Sequence, residues 1–152
     1  MIGGQQEATE VALKFLIRQS RFVQEVRAHL VGKGYDQASV ENVVQFLIER
    51  KLVNDEKTTQ NLIERNAGKR AVGIDKLKAE LERLGAPAET VEANLAAIQQ
   101  SEPERALGAL RAKYKEGADR AKAGRFLYGR GFSEDATEVA LDTFCGSSSF
   151  PD

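Results

Sequence analysis

Apolar residues return every three or four positions along most of this chain, and no convincing period-two alternation appears. Ala8, Val11, Ala12, Phe15 and Leu16 form one such stripe, and Val40, Val43, Val44, Leu47 and Ile48 form another with the same spacing. Ile74, Leu77, Leu81 and Leu84 follow a heptad-like variant, as do Ala88, Val91, Leu95 and Ile98. Each stripe predicts an amphipathic helix whose apolar face needs a partner, so helix is expected to pack on helix in an all-α protein.

The pattern repeats at longer range. Gly34, Gly85 and Gly131 set a register, with Leu30, Leu81 and Leu127 four residues before them and Val44, Leu95 and Leu141 ten after. Two residues after each glycine stand Asp36, Pro87 and Ser133, all good starters of a helix. The implied unit is a helix closed by a left-handed glycine cap and followed at once by a second helix. A further helix is expected ahead of each pair, over residues 8–18, 54–67 and 102–115. Asn54-Asp55 should start the second of these. Ser101-Glu102-Pro103-Glu104 should start the third with a capping box and a proline in the first turn. The expectation is therefore about nine helices in three tandem three-helix modules, residues 1–53, 54–100 and 101–145, forming an elongated helical repeat array. Residues 146–152, rich in Gly and Ser, are expected to be a disordered tail.

Composition narrows the class without changing this picture. A chain of 152 residues with 41% hydrophobic and 30% charged positions can bury a core without metal or disulfide. Cys145 is the single cysteine, so no internal disulfide forms and a reducing compartment is the simpler reading. The longest uncharged stretches, 93–101 and 143–151, are too short to cross a bilayer. The N-terminal residues lack the basic flank and apolar run of a signal peptide, so a cytoplasmic location is expected.

The net charge of −1 conceals a segregated pattern. Residues 18–33 and 65–83 each carry a net +3 and residues 111–130 a net +5, whereas 36–49, 86–99 and 133–145 carry −3, −2 and −4. Corresponding basic helices could lay a positive stripe along one side of the array, suited to an extended anionic partner such as a nucleoprotein filament. The residues expected to meet that partner or its phosphates are Arg21, Arg27, Lys33, Arg65, Lys69, Arg70, Lys76, Arg120, Lys122, Arg125 and Arg130. The alternative is that opposite charges simply pair across the surface, each pair stabilising by only about 0–1 kcal/mol. Tyr114, Phe126, Tyr128 and Phe132 interleave with basic residues as in single-strand binding platforms. Phe126 and Phe132 read as core, whereas Tyr128 could be exposed, with contact to DNA or partner as one open reading beside an ordinary surface role.

No catalytic constellation stands out. His29 is the only histidine and sits on a helix carrying an apolar stripe, where a packed or surface imidazole is the ordinary role. Cys145 has no recognisable companion base, and no P-loop, dinucleotide-binding glycine pattern, zinc spacing or EF-hand loop occurs. An enzyme is not expected, nor is a cofactor or metal.

Three segments, in order, carry a family resemblance. Lys33-Gly34-Tyr35 precedes a valine-striped helix that runs into Lys51-Leu52-Val53-Asn54-Asp55. Arg65, Gly73, Leu77, Glu80-Leu81 and Gly85 follow, and then Phe126-Leu127-Tyr128-Gly129-Arg130-Gly131-Phe132-Ser133. Together they resemble the RecX family across roughly residues 18–144. They match its Lys-Gly-aromatic and Gly-Leu-Leu-Asp-Asp elements, its Gly-x-x-x-Ile-x-x-Glu-Leu element and its Phe-Leu-x-x-Arg-Gly-Phe signature. Thr58-Thr59 stand where that family usually has Phe-Ala, Leu84 replaces the usual basic residue before Gly85, and Ala86 replaces a larger apolar one. The resemblance implies a regulatory protein that binds the RecA recombinase filament on single-stranded DNA. Such a protein inhibits ATP hydrolysis, strand exchange and coprotease activity, and so modulates recombination, DNA repair and the SOS response. A monomer with at most weak direct DNA binding and no membrane partner is expected. Two other classes fit the bare pattern: a helical DNA-binding module acting independently of RecA, and a helical scaffold for some other partner.

Overall fold

The computed structural model describes residues 2–115 and 118–146. Among them the chain forms nine α-helices and no strand: α1 (Ile2–Ile17), α2 (Val23–Gly32), α3 (Gln37–Glu49), α4 (Asp55–Arg65), α5 (Ile74–Leu84), α6 (Ala88–Gln99), α7 (Glu102–Lys113), α8 (Arg120–Gly129) and α9 (Glu134–Phe144). A single 3-10 turn, Gly68–Arg70, lies between α4 and α5. The all-helical expectation holds. The expected tail, apart from Gly146, lies outside the described residues.

The glycine register works as its spacing implies. Gly34, Gly85 and Gly131 adopt φ of 94°, 89° and 82°, the left-handed region in which a Cβ is strained. The helices after two of them start on side-chain caps: Asp36 accepts from the Ser39 N–H and Ser133 from the Ala136 N–H. Asn54 caps α4 by accepting from the Lys57 N–H at 3.1 Å. The capping box expected at Ser101 is not formed. With α6 ending at Gln99, Ser101 still belongs to the end of that helix, and its hydroxyl donates backwards to the Ile98 carbonyl at 2.9 Å. Pro103 does sit in the first turn of α7.

Contacts divide the chain into two compact units. The first runs to Asn61 and takes in Leu81–Thr90; the second comprises Leu62–Glu80 and the described residues from Val91 onward. The stretch 54–100 is thus shared between them.

In the first unit, α1, α2 and α3 pack on one another around Ala8, Ala12, Val26, Leu30, Val40, Val43, Val44 and Leu47. Alanines on α1 let the helices approach closely, and β-branched valines on α3 fill the facing side. Thr58 and Thr59 keep the buried face of α4 despite their hydroxyls, at 5% and 0% exposure. Thr59 donates to the Asp55 carbonyl one turn back at 2.8 Å and Thr58 to the Arg21 carbonyl at 3.5 Å, so neither polar group is buried without an acceptor.

In the second unit, α7 packs against α9, α8 and the 3-10 turn around Ala71, Ala106, Ala109, Leu110, Ala123, Leu127, Phe132 and Leu141. Phe132 is buried as expected, whereas Phe126 is half-buried and meets Tyr114 edge-on at 5.6 Å.

Candidate partner-binding surface

A half-buried acid, Asp55, and a buried one, Glu102, fix helix starts distant from them in sequence. In the first unit, Asp55 at the head of α4 accepts from the Val23 N–H, at the start of α2, at 2.9 Å. Burial is the main influence on its carboxyl and raises its pKa above the usual carboxylate range; the Val23 hydrogen bond and the Arg27 charge pull the other way. In the second unit, Glu102 is only 5% exposed. Its Oε2 accepts from the Ile74 N–H at 3.0 Å and the Ser133 N–H at 3.3 Å, and its Oε1 accepts from the Ser133 hydroxyl at 2.9 Å. One carboxylate therefore holds the starts of both α5 and α9.

The cations expected at a partner surface fall into two groups once their neighbours are known. In the first unit, Arg21 lies half-buried with its guanidinium carbon 4.3 Å over the Phe15 ring and Nη1 3.5 Å from Glu25. Arg27 on α2 is held by Glu41 on α3 at 2.7 and 3.1 Å and by Gln24 at 2.6 Å. Lys33, the C-cap of α2, is exposed.

In the second unit, Arg120 bridges Glu138 at 2.7 Å and Asp142 at 2.8 Å on α9. These two hydrogen-bonded acids, Asp142 foremost, raise its pKa still further. Arg130 turns inward along the chain before α5, donating to the carbonyls of Lys69 and Ala71 at 3.2 and 2.9 Å while covering the Phe126 ring at 4.7 Å. Lys76 is exposed but reaches the Gly129 carbonyl at 3.3 Å. Arg65, Lys69, Arg70, Lys122 and Arg125 are exposed.

Paired charges on adjacent helices therefore account for part of the segregated pattern: α2 with α3 through Arg27–Glu41, and α8 with α9 through Arg120 and its two acids. Of the exposed remainder, Lys33 lies in the first unit and the others in the second. There the 3-10 turn, the start of α5 and the end of α8 bring Lys69, Arg70, Lys76 and Arg130 together, with Tyr128 63% exposed on the same helix as Arg125. The juncture is a backbone crossing between two glycines. The Gly73 N–H donates to the Arg130 carbonyl at 2.7 Å, and a Cβ on Gly73 would overlap the Gly131 carbonyl.

Sequence reasoning missed Glu102 and Asp55 as long-range caps, because an acid in a first turn already has a local explanation in the helix dipole. The signal that distinguishes them is the distant N–H that each accepts, which only the tertiary structure supplies. It also missed Lys51, whose φ of 58° places a lysine where the resembling pattern has glycine.

These features describe an all-helical protein in which α1–α3 and α7–α9 each pack as three helices, with exposed cations on several of its helices. The chain belongs to the RecX family. It is 30% identical over 130 residues to regulatory protein RecX of Chlorobium limicola, covering 83% of this chain and 82% of that protein. Regulatory protein RecX of Geobacillus thermodenitrificans is 30% identical over 145 residues; this chain covers 54% of that longer protein. Residues 8–47 match the family described as RecX, first three-helix domain, which spans much of α1 to α3. The crystal structure of RecX from Lactobacillus salivarius has the same fold, with a TM-score of 0.79 over 95% of this chain and 98% of that one at 18% identity. Among the described residues no helix is long and apolar enough to cross a membrane.

Proposed function

We propose that this protein is a regulator of the RecA recombinase. On this reading it binds the RecA filament on single-stranded DNA and inhibits its ATP hydrolysis, strand exchange and coprotease activity. The observation that carries the proposal is the 30% identity to a regulatory protein RecX over more than four-fifths of both chains. The protein works as a cytoplasmic monomer without enzymatic chemistry of its own, and its three-helix modules, 1–53, 54–100 and 101–145, present cations to the partner.

The neighbours of each cation divide the proposed contact residues by role. Lys33, Arg65, Lys69, Arg70, Lys122 and Arg125 are exposed and make the contacts, with Lys76 beside them. Arg21, Arg27, Arg120 and Arg130 hold the helices that present them. Charge on an exposed lysine or arginine acts over about 8–10 Å at ordinary salt, so the contact should weaken as salt rises.

The test is RecA's DNA-dependent ATP hydrolysis with this protein added well below the RecA concentration. Suppression by the wild type, relieved by reversing Lys122 and Arg125 together but not by the neutral change Glu138→Gln, supports the reading. No suppression by folded protein against RecA from the same source overturns it. Tight binding to bare DNA with no effect on RecA would favour an independent DNA-binding module.

A further inference from the structure

We propose that the first compact unit holds a binding site for a purine nucleotide, with the base stacked on the imidazole of His29 in the open recess between α2 and the end of α5. The recess has a volume of about 610 Å³, within the range of about 300–1,000 Å³ usual for small-molecule sites. Phe15, Gln24 and His29 line it from α1 and α2, and Arg83, Leu84 and Gly85 from the end of α5 and its glycine cap. A Cβ on Gly85 would come within 2.6 Å of the Gln24 Cβ, so the two walls meet closely there.

Three planar groups form one stack beside this recess. The Arg21 guanidinium carbon lies 4.3 Å from the centre of the Phe15 ring, and the His29 ring lies 4.0 Å from it and within 5° of parallel. Two groups at that range cannot share a face, so Arg21 covers one face of Phe15 and His29 the other. His29 is therefore the last ring of the stack. It is half-buried, and among the described residues no further ring lies on it and no group hydrogen-bonds its nitrogens. Burial, with Lys33 and Arg21 nearby, lowers its pKa, so at neutral pH the ring is uncharged, with one N–H to donate and one nitrogen to accept.

A nucleotide matches each of these features. Its base brings a flat face to continue the stack and an edge of donors and acceptors to meet the imidazole and Gln24. Gln24 Oε1 is held by Arg27 Nη1 at 2.6 Å, while the amide N–H groups of Gln24 have no acceptor among the described residues. Leu84, standing where the family pattern has a basic residue, is half-buried and adds apolar surface for the base. A purine covers more of that surface than a pyrimidine. The phosphate meets positive charge, since Arg83 lines the recess and the charges of Arg21 and Lys33 already act on His29. Glu25, the one acid of the lining, accepts from the Phe22 N–H and touches Arg21 at 3.5 Å, so its charge is largely compensated. The site requires no RecA.

The experiment titrates adenosine monophosphate into the full chain while the ring protons of His29, the one histidine of the chain, are followed by NMR. A saturable upfield movement is expected, and ribose 5-phosphate, which lacks the base, should cause none. His29→Ala should weaken binding, read at the amides of Ala28, Leu84 and Gly85, about tenfold, as the loss of one base–ring stack implies. His29→Phe keeps a ring face and should stay within about threefold of the wild type. Circular dichroism confirms the fold of both variants. A second titration uses a short deoxyadenosine oligonucleotide. Tighter binding of the oligonucleotide than of the monophosphate assigns the site to a base within a strand, and equal or weaker binding assigns it to the free nucleotide. No saturable movement of the His29 signals with either ligand, an equal movement with ribose 5-phosphate, or undiminished binding by His29→Ala overturns the site.

Discussion

Asp55 and Val23 stand 32 residues apart in sequence, yet the carboxylate of one takes the backbone N–H of the other at 2.9 Å. Glu102 and Ile74, 28 residues apart, repeat the relationship at 3.0 Å. In both cases the first helix of one triplet, α4 or α7, sends an acid from its first turn to the start of the second helix of the triplet before it, α2 or α5. Each acid thus ties two helices distant in sequence within one compact unit, and the donor stands eleven residues before a left-handed glycine in both cases. The terminal Asp of Leu52-Val53-Asn54-Asp55 has a structural duty that its position on the surface of α4 conceals.

Removing these acids should be costly in proportion to the donors each leaves behind. Asp55→Ala strands one half-buried N–H and should lower stability by about 1–2 kcal/mol; Glu102→Ala strands two N–H groups and a hydroxyl and should cost about 3 kcal/mol. Glu102→Gln, which keeps an acceptor oxygen, should lose less than Glu102→Ala. Urea midpoints at fixed protein concentration give the order. If the two alanine variants are equally stable, these hydrogen bonds do not hold the helix starts as described.

Asp55 and His29 should give opposite pH signatures. Burial raises the Asp55 pKa, so the folded state holds its proton more tightly than the unfolded chain. The stability gained this way is present at low pH and fades as pH rises from about 4 through the raised value. His29 is stacked face to face on Phe15 at 4.0 Å, and burial, with Lys33 and Arg21 nearby, lowers its pKa. Its contribution is present above about pH 6.5 and lost as pH falls through the depressed value. Asp55→Asn should remove the first slope, and Phe15→Leu should let the His29 titration move back up. With one histidine in the chain, the ring proton signal reads that titration directly. An unchanged His29 midpoint in Phe15→Leu would show that the stack does not set it.

Periodicity revealed the helices because their buried faces are made of residues with no other use: Val40, Val43, Val44 and Leu47 are all buried. The three glycines were legible for the same reason, since a left-handed cap admits little else. The two compact units were not. Leu77 and Leu81 lie one turn apart on α5, both buried, and belong to different units; a stripe says that a face is covered, not by what. The cationic surface was half legible. Lys122 and Arg125 are exposed, but Arg120 on the same helix is paired with Glu138 and Asp142. Net charge per segment cannot separate an arginine offered to a partner from one that ties α8 to α9.

Lys51 offers a gain in stability. Its φ of 58° places a β-carbon in the left-handed region, which costs about 1 kcal/mol for most residues and nothing for glycine. Lys51→Gly should therefore raise stability by about that amount, partly offset by the greater freedom of glycine in the unfolded chain. Higher stability is the expected result, measured by thermal unfolding of the variant beside the wild type. A destabilised Lys51→Gly variant would mean that the lysine side chain contributes more than its backbone costs.

Gly73 and Gly108 make the sharpest contrast, because the same substitution should have opposite signs. Gly108 lies inside α7 with nothing within 4 Å of the place a methyl group would take, so Gly108→Ala should stabilise by about 0.5–1 kcal/mol through helix propensity. At Gly73 a methyl group would overlap the Gly131 carbonyl and the Phe132 nitrogen. Those are backbone atoms at a cap that already holds a left-handed glycine, so they cannot yield as a side chain would. Gly73→Ala must break the 2.7 Å bond to the Arg130 carbonyl and push α5 away from the end of α8, a loss of about 3 kcal/mol or more, at the upper end for single substitutions. Arg130 and Lys76 would lose their carbonyl partners across the crossing, so amide exchange should quicken first at Ala71, Gly73 and Phe132. A Gly73→Ala variant as stable as the wild type, with exchange unchanged there, would show that the two backbones do not cross this closely.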